Sequence, residues 1–415
     1  MAKKSQPQKS PPKKPAPKKN AIDRGEHISA MEPLRFSEDS KWRGSLNELV
    51  VDLTFKAASL KSSLPEGMST ALAELVRSMN CYYSNLIEGH DTHPIEIERA
   101  LNDELSRDPK KRELQLEAKA HISVQRWIDG GGLKGRETSV AGILETHRKF
   151  IDGLPAELRQ TPDPKTGGSI PVVPGALRDR DVQVGRHIAI SPGAVPRFLD
   201  RYAAAYSNQS RGDKILSAAA AHHRLLWIHP FSDGNGRVAR LISHAIFLDA
   251  LETAGIWSVA RGLALKVDRY KDCLAACDTT RRNDLDGRGN LSEEALAEFT
   301  RFFLEVSIDQ VEFMQSLMQP DRLRARVLSW ADEESRLSGL SKKAGQILEA
   351  ILYRGELPRA DIPELIQTTD RQALRVVKQL QDSGVLTSLS SRSPWRLALP
   401  ATLAHRWMPG LFPAK

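Results

Sequence analysis

Apolar residues recur three and four apart over most of the chain, a pattern that predicts a mainly α-helical protein. The first such stretch predicts a helix over 47–60, broken by Leu64-Pro65-Glu66-Gly67. A longer period through Leu72, Leu75, Val76, Met79, Tyr83, Leu86 and Ile87 predicts a second helix that stops at Gly89. A charged, partly amphipathic helix is expected over 96–120, extended by 122–129 and interrupted by Gly130-Gly131-Gly132. Helices follow over 140–154, with Ile143, Leu144 and Phe150 inward, and over 213–228, with Leu216, Ala219, His223 and Leu226 near one stripe. Further helices are expected from Arg237 to about Leu251, over 268–277, and from Ser292 to about Met314 with Phe299, Phe302 and Phe303 in the core.

The period changes in two places. Residues 161–196 are rich in Pro and Gly, and 177–185 alternate apolar and polar as a strand does, broken by polar residues suited to a tight turn. After a charged connector over 319–340, partly helical, the elements shorten. One helix carries Ile347, Leu348, Ile351 and Leu352, and a second carries Ile362, Leu365 and Ile366. A third runs 370–383, with Asp370 able to cap it and Gly384 to stop it. Strand-like pieces at 385–389 and 395–399 complete the chain.

Composition narrows the class. With 415 residues and 40% apolar content, the chain has room for two or three folded domains, and no stretch reads as a membrane span or a signal-peptide core. Cys81, Cys273 and Cys277 make no disulfide framework, so a reducing, cytoplasmic setting is expected, with Cys273 and Cys277 as core residues rather than metal ligands. Adjacent helical residues point about 100° apart, so His222 and His223 are expected to pack or cap. The net charge of +8 is uneven: residues 1–20 hold seven Lys and no acid, 335–415 hold twelve basic against six acidic residues, and the middle is left at −5. The expected organisation is a disordered basic tail over 1–30, a helical region over 31–130, a core over 131–318, a linker over 319–340 and a terminal domain over 341–415. The tail reads as a solvated arm, or as one drawn to a polyanion.

Candidate chemistry concentrates in His229-Pro230-Phe231-Ser232-Asp233-Gly234-Asn235-Gly236-Arg237-Val238-Ala239-Arg240. The two glycines permit positive φ and an anion-binding nest of N–H groups. The apolar run after them predicts that the nest opens a helix whose positive dipole end faces the anion. Arg237 and Arg240, three apart, can fork onto phosphate oxygens, and Asp233 is a hard ligand for Mg²⁺. His229 titrates near neutrality and can take a proton from a hydroxyl, and Phe231 is expected to anchor the loop in the core.

This stretch resembles the motif of Fic domains at every defined position. The resemblance implies an all-helical domain that transfers AMP from ATP, with Mg²⁺, to a Ser, Thr or Tyr hydroxyl of a target protein or of itself. It implies His229 as general base, Asp233 on the metal, Gly234, Asn235 and Gly236 around the α- and β-phosphates, Arg237 near the β-phosphate and Arg240 on the γ-phosphate. Ser84 to Gly89 resembles the inhibitory motif of self-regulating Fic proteins, which implies that Glu88, with Ser84, pairs with Arg240 where the γ-phosphate belongs. The same carboxylate could position water to remove AMP. Residues 177–185 resemble the Fic flap, a hairpin that holds a target segment by main-chain pairing, with Val184, Gly185, Arg186 and His187 bordering the nucleotide. Tyr270 matches an adenine-contacting aromatic, although Cys277 replaces the Asn that often follows it.

The terminal three helices and hairpin resemble a winged helix-turn-helix, which implies a duplex-DNA partner contacted through Arg371, Gln372, Arg375, Lys378 and Gln379, with Arg392 on the wing. Winged helices also dock proteins. Two alternatives stand beside AMP transfer: a DNA-bound regulator whose Fic domain only senses nucleotide, and Doc-like phosphoryl transfer, against which Gly236 stands where Doc-like members carry lysine. A homodimer is left open and no membrane partner is expected.

Overall fold

The helical periodicity resolves into sixteen α-helices among the described residues of the computed structural model, which describes residues 21–163 and 166–413. α1 (Arg43–Ser62) and α2 (Glu66–Ile87) are parted at Pro65, whose fixed φ starts a new helix and cannot continue the old one. The expected single helix over 96–120 is instead two, α3 (Pro94–Leu101) and α4 (Pro109–Asp129). Asp103 takes a left-handed φ of 63°, and the Asp108 carboxylate then caps α4 by accepting from the Lys111 N–H at 3.1 Å. α5 (Val140–Asp152) is capped in the same way by Ser139.

Two small hairpins follow. β1 (Gln160–Pro162) pairs with β2 (Ser169–Pro171), a hairpin the pattern did not announce, and β3 (Gln183–Val184) pairs with β4 (His187–Ile188). Residues 177–182 are not a strand, and the Arg178 side chain is buried.

The core is then built from α6 (Val195–Tyr206), α7 (Arg211–Ile228), α8 (Asn235–Leu251), α9 (Val259–Leu265), α10 (Val267–Cys277) and α11 (Glu293–Leu317). α7 and α8 form its central antiparallel pair and are buried along most of their length. Phe299, Phe302 and Phe303 of α11 are buried, as the pattern required, each contributing about 1.5–3 kcal/mol of burial. Cys81 and Cys277 are buried, Cys273 is half-buried, and all three are free.

The expected tail and linker boundaries both shift. Residues 1–20 lie outside the described residues, but 21–30 run along the core rather than forming part of a loose tail. Arg24 pairs with Asp181, the Glu26 carboxylate accepts from the Ser191 N–H and hydroxyl, and Arg197 donates to the Glu26 carbonyl. Residues 319–340 are not a linker: α12 (Pro320–Leu337) is continuous and buries Leu323, Val327 and Trp330. It packs on α13 (Ala344–Arg354), the first element of the terminal unit. That unit continues through α14 (Ile362–Leu365), α15 (Asp370–Asp382), the hairpin of β5 (Leu386–Thr387) with β6 (Arg396–Leu397), and α16 (Ala404–Trp407). Thr369, not Asp370, is the N-cap residue of α15. Trp330 of α12 meets Trp407 of α16 edge-on at 5.2 Å. No helix among the described residues is long and apolar enough to cross a membrane.

Candidate active site

The site forms where α7 ends and α8 begins. His229 caps α7 in a left-handed conformation, φ 50° and ψ 63°, which turns the chain sharply out of the helix. A non-glycine residue held there is strained, so neighbours must fix it. Arg178 does so: its guanidinium donates to the carbonyls of His229 at 2.7 Å, Arg180 at 2.8 Å, Ile190 at 2.5 Å and Ile228 at 3.3 Å. Behind the loop, Phe231 is fully buried and stacks on His147 with centroids 3.7 Å apart.

Asn235 closes the turn from inside. Its side chain accepts from the Phe231 N–H at 3.0 Å and donates to the Phe231 carbonyl at 2.9 Å, so it staples the loop. Gly234 has the expected positive φ of 81° and stands as the N-cap of α8, whereas Gly236 lies within the first helical turn. Gly236 serves a different need from the one the nest predicts. A Cβ there would lie 2.3 Å from Glu88 Oε1, so its absence lets a carboxylate approach the helix N-terminus.

Both arginines of the motif are engaged by carboxylates. Arg240, 4% exposed, donates from Nε to the Ser84 hydroxyl at 2.8 Å and from Nη2 to the Ser84 carbonyl at 3.1 Å and to Glu88 Oε1. The expected pairing of Glu88 with Arg240 is therefore present, made by the last turn of α2. Arg237 donates from Nη1 to Glu117 Oε1 on α4, lies 3.4 Å from Asp233 Oδ1, and stacks over the Phe150 ring at 5.0 Å. Glu117 in turn is bound by the His90 imidazole at 3.0 Å.

Burial sets the proton balance. It would raise the Glu88 carboxyl, but the adjacent Arg240 guanidinium overrides it and holds the group below the usual range. Burial likewise works against Glu117, and the His90 hydrogen bond together with Arg237 brings it below its ordinary value. His229 departs from the expectation of titration near neutrality: burial, and then the positive charge of Arg178, push it down to about 4. Its Nδ1 lies 3.3 Å from the Leu226 carbonyl, and with Nδ1 assigned as the donor, Nε2 is left as the acceptor. The imidazole is thus neutral at pH 7 and able to receive a proton.

Asp233 spends Oδ1 on the Gly234 N–H at 2.6 Å, and its side chain is 43% exposed at the mouth of the loop. A single open carboxylate fits a Mg²⁺ whose other ligands are phosphate oxygens and water. At the flap, Val184 is 49% exposed and Gly185 forms the turn with φ 59°. Arg186 is exposed, while His187 is committed to the Trp227 carbonyl at 2.8 Å and so ties the hairpin to α7. Tyr270 departs from its expected role. It is 2% exposed with its hydroxyl 2.6 Å from His222 Nε2, so its ring packs in the core and offers a base no open face. His222 and His223 pack as expected, His222 bonding Ser243 and Tyr270, His223 bonding Asp278.

Arg178, Glu117, His90 and His147 escaped the sequence reading. Arg178 sat in an alternating run that reads as a strand, and Glu117 in a charged helix that reads as a solvated face.

A loop of this composition, capped by a left-handed histidine and followed by two buried arginines on one helix, agrees with the resemblance to Fic domains. The model of the Fic/DOC family matches residues 137–247. Among similar proteins, the protein adenylyltransferase Fic of Drosophila willistoni is 28% identical over 173 residues, 41% of this chain and 31% of that protein. The protein adenylyltransferase fic-1 of Caenorhabditis elegans is 35% identical over 114 residues, 27% of this chain and 20% of that protein. The chain thus spans about a third or less of the length of these curated relatives. A solved Fic family protein from Desulfovibrio desulfuricans matches 84% of this chain and 96% of its own, at 16% identity and a TM-score of 0.48.

Proposed function

We propose that the protein is a self-inhibited protein adenylyltransferase. The observation that carries the reading is the occupation of Arg240 and of the space over Gly236 by one carboxylate, Glu88, at the N-terminus of α8. An anion belongs there on physical grounds, and the chain supplies its own.

With Glu88 displaced, the triphosphate of ATP takes its place, its γ-phosphate on Arg240 and its β-phosphate near Arg237. A hydroxyl of the target attacks the α-phosphorus while His229 Nε2 takes its proton. The new bond joins that oxygen to phosphorus, the bond to the β-phosphate oxygen breaks, and pyrophosphate leaves with the electron pair. Asp233 would hold Mg²⁺, which would supply charge neutralisation to the phosphates. The exposed β3–β4 hairpin offers main-chain groups to align the target segment. In removal of AMP, water oriented by Glu88 attacks the phosphorus of the modified target, the bond to the target oxygen breaks, and the proton the water gives up restores the target hydroxyl as AMP leaves. Gly236 stands where Doc-like phosphotransferases carry lysine, which favours AMP transfer over phosphoryl transfer.

A second reading concerns the C-terminal unit, whose three short helices followed by a hairpin resemble a winged helix. On α15, Arg371, Gln372, Arg375 and Lys378 are exposed together, with Arg392 exposed between β5 and β6. That face suits duplex DNA, although Lys378 is paired with Asp382 and Gln379 is taken by the Ser341 N–H. A salt-dependent mobility shift of the full chain supports DNA, and none at low salt removes it.

The catalytic reading is tested by mass spectrometry after incubation with ATP and Mg²⁺. A gain of AMP in the Glu88→Gly protein, exceeding that of the wild type and absent from Glu88→Gly/His229→Ala, is expected. A gain of phosphate, or no gain in any variant, overturns it.

A further inference from the structure

The inhibitory segment reaches beyond Arg240. Glu88, Gly89 and His90 are consecutive, and each end of this triplet leads to a different arginine of the motif. Glu88 bonds Arg240 directly, while His90 Nδ1 lies 3.0 Å from Glu117 Oε2, whose other oxygen bonds Arg237. The backbone between them is tied down locally, since the Glu88 and His90 N–H groups both donate to the Asn85 carbonyl. Gly89 turns at φ 86°, which aims the two side chains in different directions from the end of α2.

We propose, building on the self-inhibition reading above, that His90 and Glu117 form a second catch on the inhibitory segment, and that protonation of His90 sets how firmly Glu88 is held in place.

The two anchor points differ in a way that assigns them different roles. Glu117 is 8% exposed and bonded to an equally buried Arg237, so it is a fixed positioning residue: it keeps the guanidinium aimed past Phe150 toward Asp233. Glu88 and His90 have side chains 34% and 41% exposed, so they can leave together without opening the core. The groups facing His90 are Glu117 from α4, Arg237 from α8, and Glu88 from its own segment. The hydrogen bond to Glu117 dominates and raises the imidazole above its ordinary value. A cationic His90 bonds the Glu117 carboxylate more strongly than a neutral one, so the catch is closed below the raised value and loosens as pH climbs through it, above about 6.5. Glu88 and His229 are both shifted downward, so neither titrates in that window.

The test compares His90→Ala and His90→Gln with the wild type, each with Glu88 intact and in the Glu88→Gly background. The first readout is amide hydrogen exchange of residues 88–92 at fixed pH, which needs no catalysis. His90→Ala is expected to speed it about threefold to tenfold, the range of one charge-assisted hydrogen bond at a half-exposed site. The second readout is self-labelling with ATP and Mg²⁺ between pH 6 and 8.5. Relative to Glu88→Gly at each pH, wild-type labelling should rise with pH. His90→Gln should flatten that rise, and His90→Ala should lift labelling throughout. Unchanged exchange in His90→Ala overturns the proposal, as does an equal effect of His90→Ala with and without Glu88, since His90 would then act on the site rather than on the catch. If Glu88→Gly labels nothing while exchange responds to His90, the catch stands and the adenylyltransferase reading falls.

Discussion

Tyr83 donates its hydroxyl to the carbonyl of Leu411 at 3.0 Å, joining α2 to the end of the described chain 328 residues later. Tyr83 immediately precedes Ser84, which holds Arg240, so the C-terminal unit is anchored on the helix whose end engages that arginine. Arg261 reinforces the joint by donating to the Gly410 carbonyl at 2.7 Å while lying 3.8 Å over the Phe313 ring. Tyr83→Phe removes one buried donor and leaves the Leu411 carbonyl only the longer bond from Arg261 Nε at 3.4 Å, which should cost about 0.5–1.5 kcal/mol. Chemical denaturation of the two proteins at one pH measures it, and a loss below a few tenths of a kcal/mol contradicts the joint.

Gly236 and Glu88 form a steric pair that a double-mutant cycle can expose. Gly236→Ala alone places a methyl against Glu88 Oε1, the free end of a flexible side chain, so the carboxylate should shift off Arg240 at a cost of about 1 kcal/mol or less. With Glu88→Gly the collision is gone, and alanine, the better helix former, should be neutral or stabilising. The coupling between the two changes should therefore be about 0.5 kcal/mol or more; simple additivity in denaturant midpoints contradicts the close approach.

Arg178 is the pillar of the catalytic turn. Burial pushes it down to about 10, so it remains charged at neutral pH with its charge spread over main-chain carbonyls. Arg178→Met strands those carbonyls and should destabilise by about 3 kcal/mol or more. Because His229 sits on one of them, labelling in the Glu88→Gly background should fall by about tenfold or more even at temperatures where the protein stays folded by circular dichroism.

If His229 is the base, as proposed, its lowered pKa sets the acid limb. A histidine lowered to about 4 is neutral, and competent as a base, at every pH above that value and loses competence below it. In the Glu88→Gly protein, kcat/KM should therefore stay level from pH 7 down to about 5, since this parameter reports groups of the free enzyme. A fall centred near 6.5 would show an imidazole exposed to water in solution.

Much of this organisation was readable from residue order alone. The catalytic loop is contiguous, so its histidine, carboxylate, glycines and arginines are all visible in twelve residues. The helices announce themselves because burial on one face imposes a period of about 3.6. The Glu88 contact was reachable because a short motif marks it and Gly89 ends its helix.

Tertiary structure alone decided the rest. A helical period tells which side of α4 turns inward but not what it meets, so nothing marked Glu117 as the partner of an arginine 120 residues away. Arg178 looked like a strand residue because its neighbours alternate, yet the carbonyls that need its guanidinium converge only after α7 and the flap fold together. The resemblance implies a base contact for Tyr270, and packing instead gives its hydroxyl to His222. The order of residues specifies which groups are present and which helices carry them; how buried charges pair across helices is settled by packing, because an unpaired charge in a dry interior costs too much to be left where it falls.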